Sequence, residues 1–288
     1  MRLDRRGMVL AGLVGAGAMT PPNLARAAPS KPTSPTDHWF NIRDFGAVGD
    51  GARIDTAAIN KAVDAAAKHG GGTVYFPPGT YASYTIRLKS KVTLLLDVGA
   101  VLLAADTPPG GPGYDHPDEG AAANKFQDYG HSHWANSLIY GEGLHDITIV
   151  GQGLIWGKGL TRGHRFETDP PDVSGPGVGD KAIALKNCRN VLLRDFKVLR
   201  GGWFALLATG VDNMTIDNLV IDTNRDGLDI DCCRNVRVTG CTINSPWDDG
   251  ICPKSTFARG YARPTENLTI SDCFLTGDFE MGSVIDGT

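Results

Sequence analysis

The chain has 288 residues, 41% of them hydrophobic, and is long enough to bury a sizeable core. No run of 18 or more apolar residues predicts a membrane span, and a formal net charge of −4 disfavours nucleic acid as the main partner. Thirty-seven glycines and 17 prolines, with few long amphipathic segments, predict many short strands joined by turns.

The N-terminus has the pattern of an export signal. Arg5-Arg6 precedes an apolar run from Met8 to Met19, and Ala25-Arg26-Ala27 is a small-x-small cleavage site. We expect residues 1–27 to be a signal peptide of the twin-arginine type, and the protein to be periplasmic or extracellular. Cleavage leaves 24 basic and 31 acidic residues, a net charge of −7. Residues 28–38, rich in Pro, Ser and Thr, are predicted to be a linker.

Six cysteines in an exported chain could form disulfides, yet none lies in the first 187 residues. No CxxC pair and no Cys/His spacing indicates a zinc site. We interpret the cysteines as small apolar residues stacked in a core, and expect neither a metal nor a cofactor.

The strongest helix signal starts at Thr56, which is a candidate N-cap. Apolar residues recur at the i, i+3, i+4, i+7 spacing of an amphipathic helix at Ile59, Ala62, Val63 and Ala66. Three glycines at 70–72 end the pattern. Short strand-like runs follow, separated by two long loop regions at 104–135 and 158–180 that could form the walls of a groove.

A repeat of the form Asn/Asp, apolar, variable, apolar runs through the second half of the chain. It begins at Asp146, Asn190, Asn213, Asn235 and Asn267, at spacings of 44, 23, 22 and 32. A period of about 22 with one Asn at each turn is typical of a parallel β-helix. A β-sandwich also has regularly spaced strands, but it does not explain the recurring Asn. We predict an all-β, right-handed parallel β-helix over residues 39–288, with the helix covering its N-terminal end.

Five carboxylates lie within 24 residues, at Asp226, Asp229, Asp231, Asp248 and Asp249. A shift of 23 aligns Asp226-Gly227-Leu228 with Asp249-Gly250-Ile251, so stacked coils would bring Asp226, Asp248 and Asp249 together. Crowded carboxylates raise at least one pKa, which gives the protonated acid and ionised base of glycoside hydrolysis. Asp-Gly pairs are also common in turns, but a turn does not explain two adjacent aspartates stacked on a third.

Residues around the aspartates are candidates for substrate binding. Asp229 and Asp231 point outward from one strand, and Lys254 is predicted to lie over Asp231, either as a simple ion pair or as a cation for substrate. Trp203, one period before Asp226, could stack on a sugar ring or belong to an ordinary strand. A uronate ligand would need local basic residues, for which the candidates are Arg225, Lys254, Arg259 and Arg263.

Several motifs resemble those of glycoside hydrolase family 28, the polygalacturonase-like enzymes. Residues 44–51, DFGAVGDG, resemble the N-terminal signature of pectin-degrading β-helix proteins, and residues 151–157, GQGLIWG, resemble Gly-x-Gly-x-Ile-Asp-Gly with Trp156 in place of Asp. Asn224-Arg225-Asp226 matches the family's Asn-Thr-Asp, and Trp247-Asp248-Asp249 matches its Gly-Asp-Asp.

The resemblance implies hydrolysis with inversion of configuration. Asp248 would be the general acid, and Asp226 and Asp249 would activate water on the opposite face, with about 6.5–9.5 Å between the two carboxyl groups. The family's later Gly-His-Gly and Arg-x-Lys strands have no match before Thr288. We therefore expect the catalytic domain to be incomplete at its C-terminal end.

Two other functions fit the same fold. In a polysaccharide lyase, clustered aspartates would hold Ca²⁺ against substrate uronates, and Arg225 or Lys254 would abstract the proton. A non-catalytic carbohydrate-binding β-helix is the third possibility. In each case the expected partner is a polysaccharide or oligosaccharide, with no nucleic acid or membrane partner, and the protein is expected to be a monomer.

Overall fold

The computed structural model describes residues 38–118, 129–162, 175–223 and 225–279. The predicted signal peptide (1–27), most of the linker (28–37) and Asn224 lie outside them. The strands are β1 Trp39–Asn41, β2 Asp50–Ile54, β3 Gly72–Phe76, β4 Gly79–Ser83, β5 Ile86–Arg87, β6 Val92–Leu96, β7 Ala100–Ala104, β8 Ser137–Glu142, β9 His145–Val150, β10 Leu154–Trp156, β11 Lys181–Lys186, β12 Arg189–Arg194, β13 Lys197–Leu199, β14 Phe204–Thr209, β15 Asp212–Asp217, β16 Val220–Asp222, β17 Asp226–Asp231, β18 Arg234–Thr239, β19 Thr242–Lys254, β20 Glu266–Ser271 and β21 Phe274–Phe279.

These strands form a right-handed parallel β-helix, as predicted. One sheet has the order β1-β3-β6-β9-β12-β15-β18-β20, and each strand in it pairs in parallel with the equivalent strand of the next coil. The other strands form two further rows, β2-β4-β7-β10-β13-β16 and β5-β8-β11-β14-β17, which the long strand β19 joins into a 13-stranded sheet. Strand β19 pairs with β16 near its start and with β17 near its end.

Stacked apolar side chains fill the interior of the solenoid. Val191, Met214 and Val236 occupy one register position on three successive coils, and all three are buried. The apolar, variable, apolar pattern of each repeat places two such side chains inside per strand, because strand side chains alternate between the two faces. This stacking fixes the register, since a slip by one residue would expose a whole apolar column.

A ladder of asparagines explains the Asn that recurs in each repeat. Asn190 donates to Asp146, Asn213 to Asn190, Asn235 to Asn213 and Asn267 to Asn235, at 2.8, 3.2, 3.0 and 3.0 Å. All five residues have φ of 56° to 58°, a left-handed conformation that Asn tolerates better than most residues. The side chains therefore join adjacent coils at the turn where each strand begins.

The predicted capping helix is present as α1, Thr56–Lys68. Its buried residues include Ile59, Ala62, Val63 and Ala66, and they pack against β1, β3, β5 and β6 at the N-terminal end of the solenoid. The prediction of Thr56 as N-cap was wrong. Asp55 is the cap residue, but its carboxylate accepts from Val48 N and Gly49 N, while Thr56 Oγ1 accepts from Tyr84 N at 2.8 Å.

All six cysteines are unpaired thiols, and five of them are fully buried while Cys273 is half-buried. This agrees with the interpretation of the cysteines as small core residues. No helix in the described residues is long and apolar enough to cross a membrane.

We predict that Asn235→Ala lowers the free energy of unfolding by about 2–3 kcal/mol. The change removes two exposed hydrogen bonds, each contributing about 0.5–1 kcal/mol, and places Ala in a left-handed conformation that costs about 1 kcal/mol. Asn235→Gly, which accepts that φ, is the control and should lose about 1 kcal/mol less. Urea unfolding curves measure both, and an Asn235→Ala protein as stable as wild type would contradict a stabilising ladder.

Candidate active site

The site lies on the outer face of the row β11-β14-β17, whose three strands are buried along almost their whole length. An apolar cluster covers this outer face, formed by Trp134, Ala184, Trp203, Phe204, Leu207 and Ala258. Trp134 Nε1 also donates to Thr209 Oγ1 at 2.9 Å, which fixes the covering segment on the sheet. Side chains that point outward from β17 are therefore shielded from solvent.

The predicted shift of 23 between the two acidic clusters is confirmed. Leu228 pairs with Ile251 and Asp231 with Lys254. A Cβ on Gly227 would lie 2.4 Å from the carbonyl oxygen of Gly250, so glycine is required for two coils to approach. Gly227 lies within β17, which excludes the alternative that Asp226-Gly227 forms a turn.

A buried network of four side chains occupies the start of β17 and the end of β19. Lys254 Nζ lies 3.0 Å from Asp229 Oδ1 and 2.7 Å from Nε2 of His131. Potential ligand atoms of His131, Asp226 and Asp229 all lie within 4.8 Å of one another. Nε2 of His131 also lies 3.2 Å from Asp229 Oδ1, so Lys254, His131 and Asp229 are all within hydrogen-bond distance of one another.

Lys254 and Asp229 hold each other in the charged form. Burial alone would lower the pKa of Lys254, but the negative charge of Asp229 raises it above the ordinary value. Burial alone would raise the pKa of Asp229, but the charge of Lys254, with His131, lowers it below the ordinary value. The pair is thus ionised in the folded chain near neutral pH.

Asp226 has the opposite ionisation. Burial raises the pKa of Asp226 well above its ordinary value, and the charges of Asp229 and Asp248 raise it further. Lys254 and Arg225 offset only part of this effect. The side chain is 3% exposed, and its Oδ1 has no hydrogen-bond partner among the described residues. Burial and the neighbouring charges therefore favour the protonated form of Asp226.

Asp248 is more accessible than Asp226 and faces Arg225. Arg225 Nε lies 3.4 Å from Asp248 Oδ2, and both side chains are partly exposed. The buried Ser245 hydroxyl lies 2.5 Å from the carbonyl oxygen of Arg225 and 3.2 Å from that of Asp248. This hydroxyl fixes the irregular part of β19 beside the turn that precedes β17. The charge of Asp248 helps to raise the pKa of Asp226, so the two carboxyl groups lie close together, as predicted.

The remaining two aspartates have different surroundings. Burial raises the pKa of the Cys252 thiol, and the Asp249 carboxylate, which hydrogen-bonds to this thiol, raises it further. Asp231 is fully buried and accepts from Thr256 N at 2.9 Å and from Thr256 Oγ1 at 2.5 Å. Lys254 lies beside Asp231 in the strand register, as predicted, but its side chain extends to Asp229 and forms the ion pair there. Through its hydrogen bonds with Thr256, Asp231 holds the turn after β19. A contact between Asp231 and substrate stays a prediction.

The prediction for Trp203 was wrong by one residue. Phe204, not Trp203, pairs with Asp226, because this coil has a period of 22. Trp203 is 9% exposed, and the Arg225 guanidinium covers its ring at 4.0 Å from the centroid. Trp247, next to Asp248, is 60% exposed and is better placed to meet a sugar. Stacking by Trp203 remains a prediction that would require Arg225 to move.

The predicted basic candidates contact their own chain. Arg225 and Lys254 pair with Asp248 and Asp229, as described above. Arg263 pairs with Asp212, and the Arg259 guanidinium lies over the Tyr261 ring at 4.6 Å. These contacts offset much of the positive charge that a uronate would need.

The cluster of His131, Asp226 and Asp229 has donor atoms that could bind a divalent cation. The ammonium group of Lys254 already lies against two of the three residues, at hydrogen-bond distance from both. A metal ion would have to displace this ammonium from its charge partner. The arrangement of these residues fits an internal cation better than a metal.

Sequence reasoning missed His131, which enters the site from a loop 98 residues before Asp229. Its segment lies before the clear repeats, and the 129–132 sequence YGHS contains no motif that indicates chemistry. Trp247 was also missed as a candidate for sugar contact, although an aromatic residue directly before two aspartates is a signal for such a role.

We predict that Lys254→Met destabilises the chain by about 3–5 kcal/mol, because it leaves the Asp229 charge buried without its partner. The double variant Lys254→Met/Asp229→Asn removes both charges and should recover most of that loss. Urea unfolding at pH 7 measures each variant. A double variant as unstable as the sum of the two single variants would show that the pair contributes nothing as a pair.

We also predict that Asp226→Asn changes how stability depends on pH. A folded pKa raised above the unfolded value of about 3.9 adds stability below pH 4, which is lost as pH rises through the folded pKa. Asn cannot ionise, so the variant should gain stability relative to wild type across that range, by up to about 1.4 kcal/mol per pH unit. Asp64→Asn, at an exposed carboxylate on α1, is the control, and unfolding curves for Asp226→Asn and wild type that stay parallel from pH 4 to 7 would contradict the prediction.

Three comparisons with known proteins agree with this structure. Residues 39–103 match the family described as rhamnogalacturonase A/epimerase, pectate lyase-like. A probable polygalacturonase of Vitis vinifera is 29% identical over 255 residues, which cover 81% of this chain and 48% of that protein. An exo-poly-alpha-D-galacturonosidase of Dickeya chrysanthemi is 30% identical over 221 residues, covering 74% of this chain and 33% of that protein.

Solved structures give the same result for the fold. The family 28 exopolygalacturonase of Yersinia enterocolitica superposes with a TM-score of 0.60 at 23% identity, over 82% of this chain and 48% of that one. The chain spans about half the length of its grape relative and a third of its Dickeya relative. The chain therefore has the polygalacturonase-like fold of glycoside hydrolase family 28, within the pectate lyase-like β-helix proteins.

Proposed function

We propose that this chain hydrolyses glycosidic bonds in a pectic, uronic-acid polysaccharide with inversion of configuration. The observation that carries the proposal is the carboxylate cluster itself. Burial raises the pKa of Asp226 and so favours its protonated form, while Asp248 beside it is more accessible and paired with Arg225. A protonated and an ionised carboxyl group in one site are the two groups that this reaction needs. The polygalacturonase relatives support the choice of substrate class.

In the reaction, one carboxylic acid protonates the glycosidic oxygen as its bond to the anomeric carbon breaks. A water molecule attacks the anomeric carbon from the opposite face and transfers a proton to a carboxylate. The proton consumed by the leaving group is thereby replaced, and the product is a new reducing end of inverted configuration. No metal ion or cofactor takes part in this scheme.

The roles of the three aspartates follow their accessibility. Asp248 is the more accessible member, so we assign it the general acid, and Asp226 and Asp249 the activation of water, as the family resemblance implies. Burial favours the protonated form of Asp226 in the free chain, so substrate binding must shift a proton from Asp226 to Asp248. Because the titrations of neighbouring carboxyl groups are coupled, the proton belongs to the group as a whole.

The lyase alternative has less support. It needs a divalent cation between aspartates, and the Lys254 ammonium lies where His131 and Asp229 would contribute to such a site. It also needs a free base near substrate, whereas burial and Asp229 together keep Lys254 charged. We further propose that the protein is exported and monomeric. Export is supported by the signal pattern in residues 1–27.

We predict that Asp248→Asn lowers the rate of polygalacturonate hydrolysis about 10²–10⁴-fold, because a general acid contributes about that much. An aryl galacturonide, whose leaving group needs little protonation, should be hydrolysed at a rate much closer to wild type. Asp226→Asn should lose activity on both substrates, because the water-activating group is missing. Reducing-end assays measure polygalacturonate cleavage, and release of the phenol measures the aryl substrate.

Three outcomes of this experiment would change the assignment. Rescue of Asp226→Asn but not of Asp248→Asn by the aryl substrate would make Asp226 the acid. An unsaturated, ultraviolet-absorbing product that disappears with a chelator would establish a lyase. If wild type and Asp248→Asn both bind oligosaccharide equally well and neither hydrolyses it, the protein is a carbohydrate-binding protein.

A further inference from the structure

A cavity rich in basic residues lies beside the carboxylate cluster. It has a volume of about 430 Å³, and its lining includes Lys158, Arg162 and Arg200 with one carboxylate, Asp106. The basic residues therefore exceed the acidic ones by two in this cavity, in a chain whose formal net charge is −4. Positive charge in excess at one place on an acidic protein attracts an anionic ligand.

The cavity lies on the same stack of turns as the catalytic cluster. Its residues follow strands β7, β10 and β13, and Arg225 and Asp226 follow β16, the next strand of that row. Arg200 N donates to Asp222 O at 2.8 Å, which places Arg200 one coil before the turn that leads to Asp226. Arg225 links the two places directly, because its Nη1 donates to Arg162 O at 2.6 Å and its Nε faces Asp248.

The spacing of these turns suits a sugar chain. Successive coils are about 4.8 Å apart, which is comparable to the length of one sugar unit in an extended polysaccharide. A polysaccharide that runs along the solenoid axis from Asp248 would thus pass the three turns of the cavity, one sugar unit to a coil. Each uronic acid unit would bring one carboxylate to the basic residues.

Two glycines that line the cavity let its turns stack closely. A Cβ on Gly157 would lie 1.9 Å from the carbonyl oxygen of Arg200, and a Cβ on Gly159 would lie 2.3 Å from that of Ala105. A side chain at either position would collide with the backbone of the neighbouring turn, so glycine is required at both. The motif at 151–157 thus contributes its last glycine to this cavity.

The basic side chains are available to a ligand. Lys158 pairs with Asp106 at 3.1 Å, but the two side chains are 48% and 69% exposed, so the pair is weak and can exchange for a substrate carboxylate. Arg200 is exposed, and its φ of 54° is unusual for an arginine in this chain, since most other non-glycine residues with positive φ are Asn or Asp. An arginine at a turn position that favours Asn indicates that its positive charge has a function.

We propose that this cavity is a subsite that binds carboxylates of the uronic-acid chain, one to three sugar units from the bond that is cut. The proposal rests on the proposed function and specifies its substrate class, because a neutral polysaccharide would gain nothing from these cations. Lys158 and Arg200 are the residues that bind, through charge-assisted hydrogen bonds. Their contribution is to affinity, since they do not reach the reacting atoms.

The test compares Lys158→Gln/Arg200→Gln with its parent, both in the full-length chain with Asp248→Asn to prevent turnover. In isothermal titration calorimetry, the variant should bind trigalacturonate at least about tenfold more weakly than its parent. Raising the salt concentration should weaken binding by the variant less than binding by the parent, because fewer charges are in contact with the ligand. Methyl-esterified trigalacturonate, which lacks the charges, should bind both proteins equally. The control Arg189→Gln/Arg237→Gln makes the same charge change on strands β12 and β18 of the other sheet and should leave affinity unchanged.

Both substituted residues are on the surface, so thermal unfolding of the variant should match that of its parent. Equal trigalacturonate affinity in variant and parent, or no binding of trigalacturonate by the parent, would overturn the subsite. The two proposals can fail separately. If wild type hydrolyses polygalacturonate and the subsite variant binds normally, only the subsite is wrong. If the variant loses trigalacturonate affinity and wild type releases no reducing ends, only the hydrolase is wrong.

Discussion

The candidate site depends on a buried ion pair between Lys254 and Asp229. Each charge would be costly to bury alone, and each stabilises the other inside the protein. The Asp229 charge that Lys254 sustains is also the largest charge effect that raises the pKa of Asp226. The pair thus does more than hold two coils together, because it leaves a fixed negative charge next to the carboxyl group that must keep a proton.

The parallel β-helix makes this arrangement possible. Register between coils is fixed by the apolar columns inside and by the asparagine ladder at the turns. Residues separated by one period of sequence consequently become neighbours, so that a loop, a strand start and a strand end can contribute to one cluster. The same repetition aligns the turns that precede Asp226 into a line of basic residues, which suits a substrate that is itself a repeating chain.

Much of the fold could be predicted from the sequence, because single residues recur at the same position of each repeat. One Asn in each repeat, required by a left-handed turn, indicated the solenoid, and the shift of 23 between Gly227 and Gly250 gave the correct pairing of β17 and β19. The capping helix was predicted by its apolar stripe. These features follow from local rules that hold at each repeat.

The site was predicted less completely, for physical reasons. Trp203 was displaced by one residue because the period alternates between 22 and 23, which counting cannot resolve. Lys254 was assigned to Asp231 because register gives the backbone neighbour, whereas a long side chain can reach a diagonal one. His131 was missed because it lies in a loop outside the repeats, so counting periods cannot give its position. The loop is positioned by Trp134, which packs on the sheet and donates to Thr209.

The most direct measurement is a pH titration of the carboxyl carbons by NMR on protein labelled with ¹³C-aspartate. The Asp226 signal, assigned by its loss in Asp226→Asn, should titrate well above the ordinary aspartate range, and the Asp229 signal should stay ionised below that range. If both aspartates titrate together near pH 4, the folded chain holds no proton in this cluster at neutral pH, and the site does not work as described.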